Sequence, residues 1–140
     1  MEFVKKSDYV VGDVVYAQNL NMGWDYRLPE SETNQRVVKN FFVVLYAEAL
    51  DPLTMHRKNY KVAKITTNVV DEQMYTCGID AVKNSFLNKQ CWVSCSKEHT
   101  LCEDQIVGSL GTLDKNTMKK ITRTYFRFQN EVQRQLLESI

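Results

Sequence analysis

The apolar residues of this chain fall into short dense runs separated by polar stretches. The first run, "YVVGDVVYAQ" from Tyr9 to Gln18, is rich in Val and Tyr and predicts a strand. Gly12-Asp13 inside it predicts a bulge, or a turn between two short strands. The next eighteen residues, "NLNMGWDYRLPESETNQR", carry no periodicity. A connection of that length in a small domain is commonly a functional loop. Val37–Ala49 predicts the second strand. Its centre, Phe41 to Tyr46, is six apolar or aromatic residues in a row, the pattern of a strand buried on both faces. "DPLT" at Asp51–Thr54 predicts a turn. "YKVAKITTN" predicts a third strand with one wetter face.

Residues 68–88 carry no clear period, and "DAVKNSFLN" fits one or two helical turns. "QCWVSCS" and "TLCEDQIVGSL" flank "KEH" and predict a hairpin. "TLDKNT" predicts a capped turn with Asp114 as N-cap. From Thr124 to Ile140 the period changes. Tyr125, Phe128, Val132, Leu136 and Ile140 recur every three or four residues and predict a helix with one apolar stripe and Thr124 as its N-cap. Strands followed by one helix predict a mainly β (β+α) fold: a small curled antiparallel sheet or SH3-like barrel with a C-terminal helix. The 140 residues suit a single domain, 1–140.

Charge changes this picture little. Lys and Arg number 18 against 17 Asp and Glu, so binding to nucleic acid would need a local patch rather than an overall cationic field. No apolar run approaches the ~20 residues that span a bilayer, so no membrane is expected. "MEFVKKSDYV" has no apolar h-region, and the expectation is a cytoplasmic protein with reduced thiols.

Cys91, Cys95, His99 and Cys102 invite a zinc reading, but residues 91 and 95 of a strand stand roughly 13 Å apart. No CxxC pair is present, so neither a metal nor any other cofactor is expected, and the cysteines read as small apolar residues. His56 and His99 lie by predicted turns, where histidine is commonly solvated; His56 is a spare acid at most. "MHRKNYK" gathers Arg57, Lys58 and Lys61 into the best local basic patch. Arg36 and Lys39 stand at the mouth of the second strand, where they either hold a phosphate or solvate the strand end. In the long loop, Trp24 and Tyr26 lie near Arg27, Asn34 and Gln35. Aromatic rings stack on unpaired bases and amides read base edges; the alternative is that Trp24 folds back over the core.

Taken in order, "VGDVVYAQ", "KNFFVVLY", "AKITTN" and "CEDQIVGSLGTLDKNTMKKI", closed by the terminal helix, resemble the MazF/PemK toxins, small ribonucleases of toxin–antitoxin modules. The last of these resembles the family's Gln-Ile segment, Leu-Asp-Lys turn and Lys-Ile strand. The resemblance implies a sequence-specific, metal-independent endoribonuclease acting on single-stranded RNA. It also implies a homodimer and an antitoxin partner whose tail binds near the 19–35 loop. Thr66 matches the family's third-strand threonine, and Lys39 aligns with its catalytic arginine, with Arg36 in support. Trp24, Tyr26, Arg27, Gln35, Arg57 and Lys61 are the expected RNA-binding residues. Where the family carries Arg-Pro, this chain carries Lys39-Asn40, and its segment between Gln105-Ile106 and Leu113-Asp114 is longer. That departure supports a second reading: the same fold with its nuclease centre lost, acting as a protein-binding inhibitor.

Overall fold

The computed structural model describes residues 3–18, 40–48, 58–67 and 75–140. Among these described residues six strands and one long helix follow in order: β1 (Asp13–Ala17), β2 (Phe41–Ala47), β3 (Asn59–Thr66), β4 (Thr76–Ile79), β5 (Cys91–Cys102), β6 (Ile106–Thr112) and α1 (Lys115–Ser139). All strand pairs are antiparallel, in the spatial order β4-β5-β3-β2-β1-β6. β4 and β6 are the two edges, so the described sheet is open rather than a closed barrel. The mainly β fold with a C-terminal helix is the one read from the sequence.

Successive side chains of a strand point to opposite faces, and here both faces are apolar. Phe42 and Val44 of β2 pack with Val15, Tyr60, Val62 and Leu101 on one face. Val43 and Leu45 pack with Val14, Ala63, Ile65 and Val93 on the other, where Ile121 and Tyr125 of α1 close the core. β2 is apolar at almost every position because it lies mid-sheet with a core on each side.

Gly12-Asp13 forms the expected turn. Gly12 has φ +92°, a left-handed conformation that suits glycine. Asp13 N–H donates to Val10 C=O at 3.0 Å. The buried Asp13 carboxylate accepts from Val10 N–H at 2.9 Å, Thr112 Oγ1 at 2.6 Å and Lys6 Nζ at 3.2 Å. The strand therefore begins at Asp13 and not at Tyr9.

Four further expectations are corrected. "KEH" does not turn a hairpin, because Cys91–Cys102 is one continuous strand. The polar triplet sits where the β3–β5 register shifts, between Ala63↔Glu98 and Lys64↔Ser94. A bulge absorbs the extra residues, and Glu98 faces α1, accepting from Tyr125 Oη and from Gln129 Nε2. A 3-10 turn at Glu103–Gln105 then carries the chain to the far edge, where β6 pairs with β1.

The helix begins at Lys115, nine residues before Thr124, and its N-cap is Asp114, which accepts from Thr117 N–H at 3.2 Å. The Lys-Ile segment expected as a strand is thus helical, with Ile121 wholly buried. Thr124 is a buried mid-helix residue whose hydroxyl donates to Lys120 C=O at 2.9 Å.

The apolar stripe is also shorter than its period suggests. Tyr125 is buried, Phe128 meets the Tyr75 ring at 5.4 Å, Val132 is half-buried, and Leu136 and Ile140 are exposed. The helix outruns the sheet that covers its first three turns.

Candidate functional site: the polar end of β3

β3 ends in Lys64-Ile65-Thr66. Alternation sends Ile65 into the core beneath α1 and places Lys64 and Thr66 together on the opposite face. The Lys64 ammonium donates to Asn40 Oδ1 at 2.8 Å and lies 5.3 Å from the centroid of the Phe42 ring. Asn40 is itself buried, and its backbone carbonyl accepts from Ala17 N–H at 3.2 Å. A fixed amide at the start of β2 therefore holds the cation of β3, and the ring beneath favours positive charge over its face.

His99 of β5 stands edge-on to the same Phe42 ring, with centroids 5.7 Å apart. Its pKa is lowered to about 4, first by burial and then by the charge of Lys64. The imidazole is accordingly neutral at pH 7, inside a locally positive field.

At this end of the sheet opens a groove of about 510 Å³, lined by Lys64, Thr66 and Thr67 and, from the α1-side face, by Phe41, Ile65 and Leu110. This is the size range of small-ligand clefts. Thr66 thus brings a hydroxyl, and Lys64 a positioned charge, to one end of the sheet next to open space. Chemically, such a pair can bind a phosphodiester and stabilise charge growing on its oxygens.

Of the residues singled out from the sequence, Thr66 takes this position. Lys39, Arg36, Trp24, Tyr26, Arg27, Gln35, Arg57 and His56 lie outside the described residues. Lys61 is not brought to Thr66. It stands five residues back on β3, roughly 17 Å away along the strand, with its Nζ 3.6 Å from Glu48 Oε1 and 3.2 Å from Thr100 Oγ1.

Lys64 and Asn40 were not singled out from the sequence. The signal for Lys64 was present in the two-residue spacing of "KIT", which fixes a shared face once the segment is a strand. The signal for Asn40 was absent, because the contact joins residues 24 positions apart.

Among the described residues no three His, Cys, Asp or Glu side chains converge as a metal site. Cys91 and Cys95 belong to the α1-side core, whereas His99 lies against Phe42 on the other face. Cys77 shares that α1-side environment. Its Sγ is 2.9 Å from Thr124 Oγ1, and its pKa is lowered to about 6, chiefly by the Cys95 thiol. No helix among the described residues is long and apolar enough to cross a membrane.

Neither a protein-family model nor a curated protein matches the chain. Solved structures do. An endoribonuclease from a mycobacterial species aligns with a TM-score of 0.57 at 12% identity, over 87% of this chain and 91% of its own. A mycobacterial endoribonuclease in complex with its cognate antitoxin aligns with a TM-score of 0.58 at 12% identity, over 88% and 96%. The chain therefore has the fold of these endoribonucleases, consistent with the MazF/PemK-like fold read from its sequence.

Proposed function

We propose that the protein is a sequence-specific endoribonuclease toxin that cuts single-stranded RNA without a metal, with Thr66 and Lys64 acting on the scissile phosphate. The observation that carries this reading is the pairing of Lys64 and Thr66 on one face of β3, with the ammonium anchored by Asn40 at 2.8 Å. Attack by a ribose 2′-OH on the adjacent phosphorus, its proton passing to water, forms a 2′,3′-cyclic phosphate and expels a 5′ oxygen, which takes a proton from water to leave as a hydroxyl. Charge grows on the non-bridging oxygens as the bond forms. Thr66 Oγ1 donates to one of them, and Lys64 neutralises the other as a point charge.

Lys39 and Arg36 are the further cations proposed for this phosphate, Lys39 being the residue immediately before Asn40. Trp24, Tyr26, Arg27, Gln35, Arg57 and Lys61 are proposed to contact the flanking RNA. An antitoxin and a second copy of the chain are the proposed protein partners. The similar mycobacterial endoribonuclease is bound to its cognate antitoxin, which supports the first of these.

The test is purified protein on a mixed-sequence single-stranded RNA in excess chelator. Wild type is expected to cut. Thr66→Val and Lys64→Ala are each expected to lose about 10²-fold or more in rate, the scale of deleting one donor to a developing oxyanion. Thr66→Val should keep the wild-type melting temperature because Val retains strand propensity. Lys64→Ala removes the 2.8 Å donor of the buried Asn40 Oδ1, should cost about 1–3 kcal/mol, and is assayed well below its own melting temperature. Intact RNA with wild type would remove the nuclease reading. The fold would then be left to the protein-binding alternative, which the exposed Leu136, Leu137 and Ile140 at the end of α1 favour.

A further inference from the structure

Directly across from Thr66 on β5 stands Trp92, and across from Trp92 on β4 stands Gly78. Side chains of directly paired residues share a face of the sheet, so these three form one row over β3, β5 and β4. Lys64, Ser94 and Thr76 form the neighbouring row on the same face. The indole is half-buried and leans toward β4. A Cβ added at Gly78 would stand 3.6 Å from its Nε1 and 3.7 Å from its Cδ1. The same Cβ would stand 3.7 Å from Gln90 Nε2, so on this side the indole is bordered by a residue without a side chain and by an amide held on Ile79 C=O and Cys91 C=O. The result is an aromatic surface one strand spacing, roughly 4.8 Å, from the Thr66 hydroxyl row, with a fixed cation in the row beyond.

We propose that Trp92 is the stacking platform for an unpaired RNA base next to the phosphate held by Thr66 and Lys64. Gly78 adds no side chain to the β4 side of the ring, where only the Gln90 amide approaches. The inference rests on the endoribonuclease reading for its ligand, and adds to it a base-binding subsite on β5, separate from the 19–35 loop. An aromatic face recognises every base through its π-surface, so this subsite contributes affinity and not sequence choice. Sequence choice is left to groups that read base edges.

The test is a binding measurement that needs no cleavage. The probe is a labelled, mixed-sequence, single-stranded 2′-O-methyl RNA, which lacks the attacking hydroxyl; a base-free polyanion, inorganic polyphosphate, is the second probe. Trp92→Ala is expected to raise the Kd for RNA roughly 5- to 150-fold, the range of one base stacked on an aromatic ring. Trp92→Phe, which keeps a ring, should stay within a few-fold of wild type. Gly78→Val should weaken RNA binding like Trp92→Ala; its Cβ meets only ordinary contacts and Val suits an edge strand, and its melting temperature is measured alongside so that a folding loss is told apart from a lost platform. Polyphosphate binding should be unchanged in all three.

RNA affinities equal to wild type in Trp92→Ala and Gly78→Val would overturn the proposal. So would a parallel loss of polyphosphate binding, or no RNA binding by wild type. The nuclease reading fails separately. Trp92-dependent binding without any cleavage of ordinary RNA keeps the subsite and removes the enzyme, whereas cleavage and binding indifferent to Trp92 do the reverse.

Discussion

Lys64 illustrates how a single residue changes meaning with its partner. In the sequence it is one cation in an alternating strand; in the fold it is tied to Asn40, the residue that follows the expected catalytic cation Lys39. The place of Thr66 at the end of the third strand was legible from the alternation of the segment, and its proposed role comes from the family resemblance. Lys64 was not, because its significance lies in a contact across strands. The same charge acts on His99, together with Lys61 and Lys97, while Glu98 pulls the other way. Folding lowers the His99 pKa from 6.5 to about 4, so between those values the unfolded chain takes up a proton that the folded protein excludes. Stability is full above about pH 6.5 and falls as the pH drops toward 4. Urea midpoints measured from pH 7.5 to 4.5 should therefore decline less steeply in His99→Gln than in wild type. Identical slopes would show that His99 titrates normally in the fold.

Elements are joined by buried polar locks as well as by apolar packing. The start of α1 is fixed by Asn84, a buried side chain whose Oδ1 accepts from Asp114 N–H at 3.0 Å and whose Nδ2 donates to Asp114 Oδ1 at 2.9 Å. Asn84→Ala leaves the Asp114 N–H without its acceptor and Asp114 Oδ1 without one donor, and should cost about 1–3 kcal/mol by urea unfolding. Further along the helix, Ile121 is wholly buried and Leu136 is exposed. Ile121→Ala should cost about 2–5 kcal/mol and Leu136→Ala within about 0.5 kcal/mol, which the same measurement checks.

This contrast explains what the sequence hid. The period of Tyr125, Phe128, Val132 and Leu136 announces a helix, but not how far the sheet beneath it reaches. The first turns of α1 escaped notice because Thr117 and Lys119-Lys120 interrupt the apolar pattern. β2 and β3 were legible because runs and alternation in β-rich residues report burial directly. β5 was misread because "KEH" has turn composition, although its carboxylate is used by α1.

Across the whole molecule the charges nearly cancel, at a formal +1, so any grip on RNA has to come from a few placed cations. Binding to single-stranded RNA should weaken with salt by a slope of about −0.7 in log K per phosphate neutralised. Lys64→Ala should flatten that slope by about one such step, and an unchanged slope would remove Lys64 from the phosphate. The open sheet places its polar corner, Asn40, Lys64, Thr66 and Trp92, on the face away from α1, so the corner can be altered without disturbing the helix core. The proposed activity requires this corner to perform 2′-OH chemistry. The decisive measurement is end-group analysis of single-stranded RNA treated with wild type in chelator, beside the same RNA carrying one 2′-deoxy nucleotide at the mapped cut. Fragments with 2′,3′-cyclic phosphate and 5′-hydroxyl ends, lost at the deoxy position and lost with Thr66→Val, are the predicted result. Cutting that survives the deoxy substitution, or that Thr66→Val leaves at the wild-type rate, would contradict it.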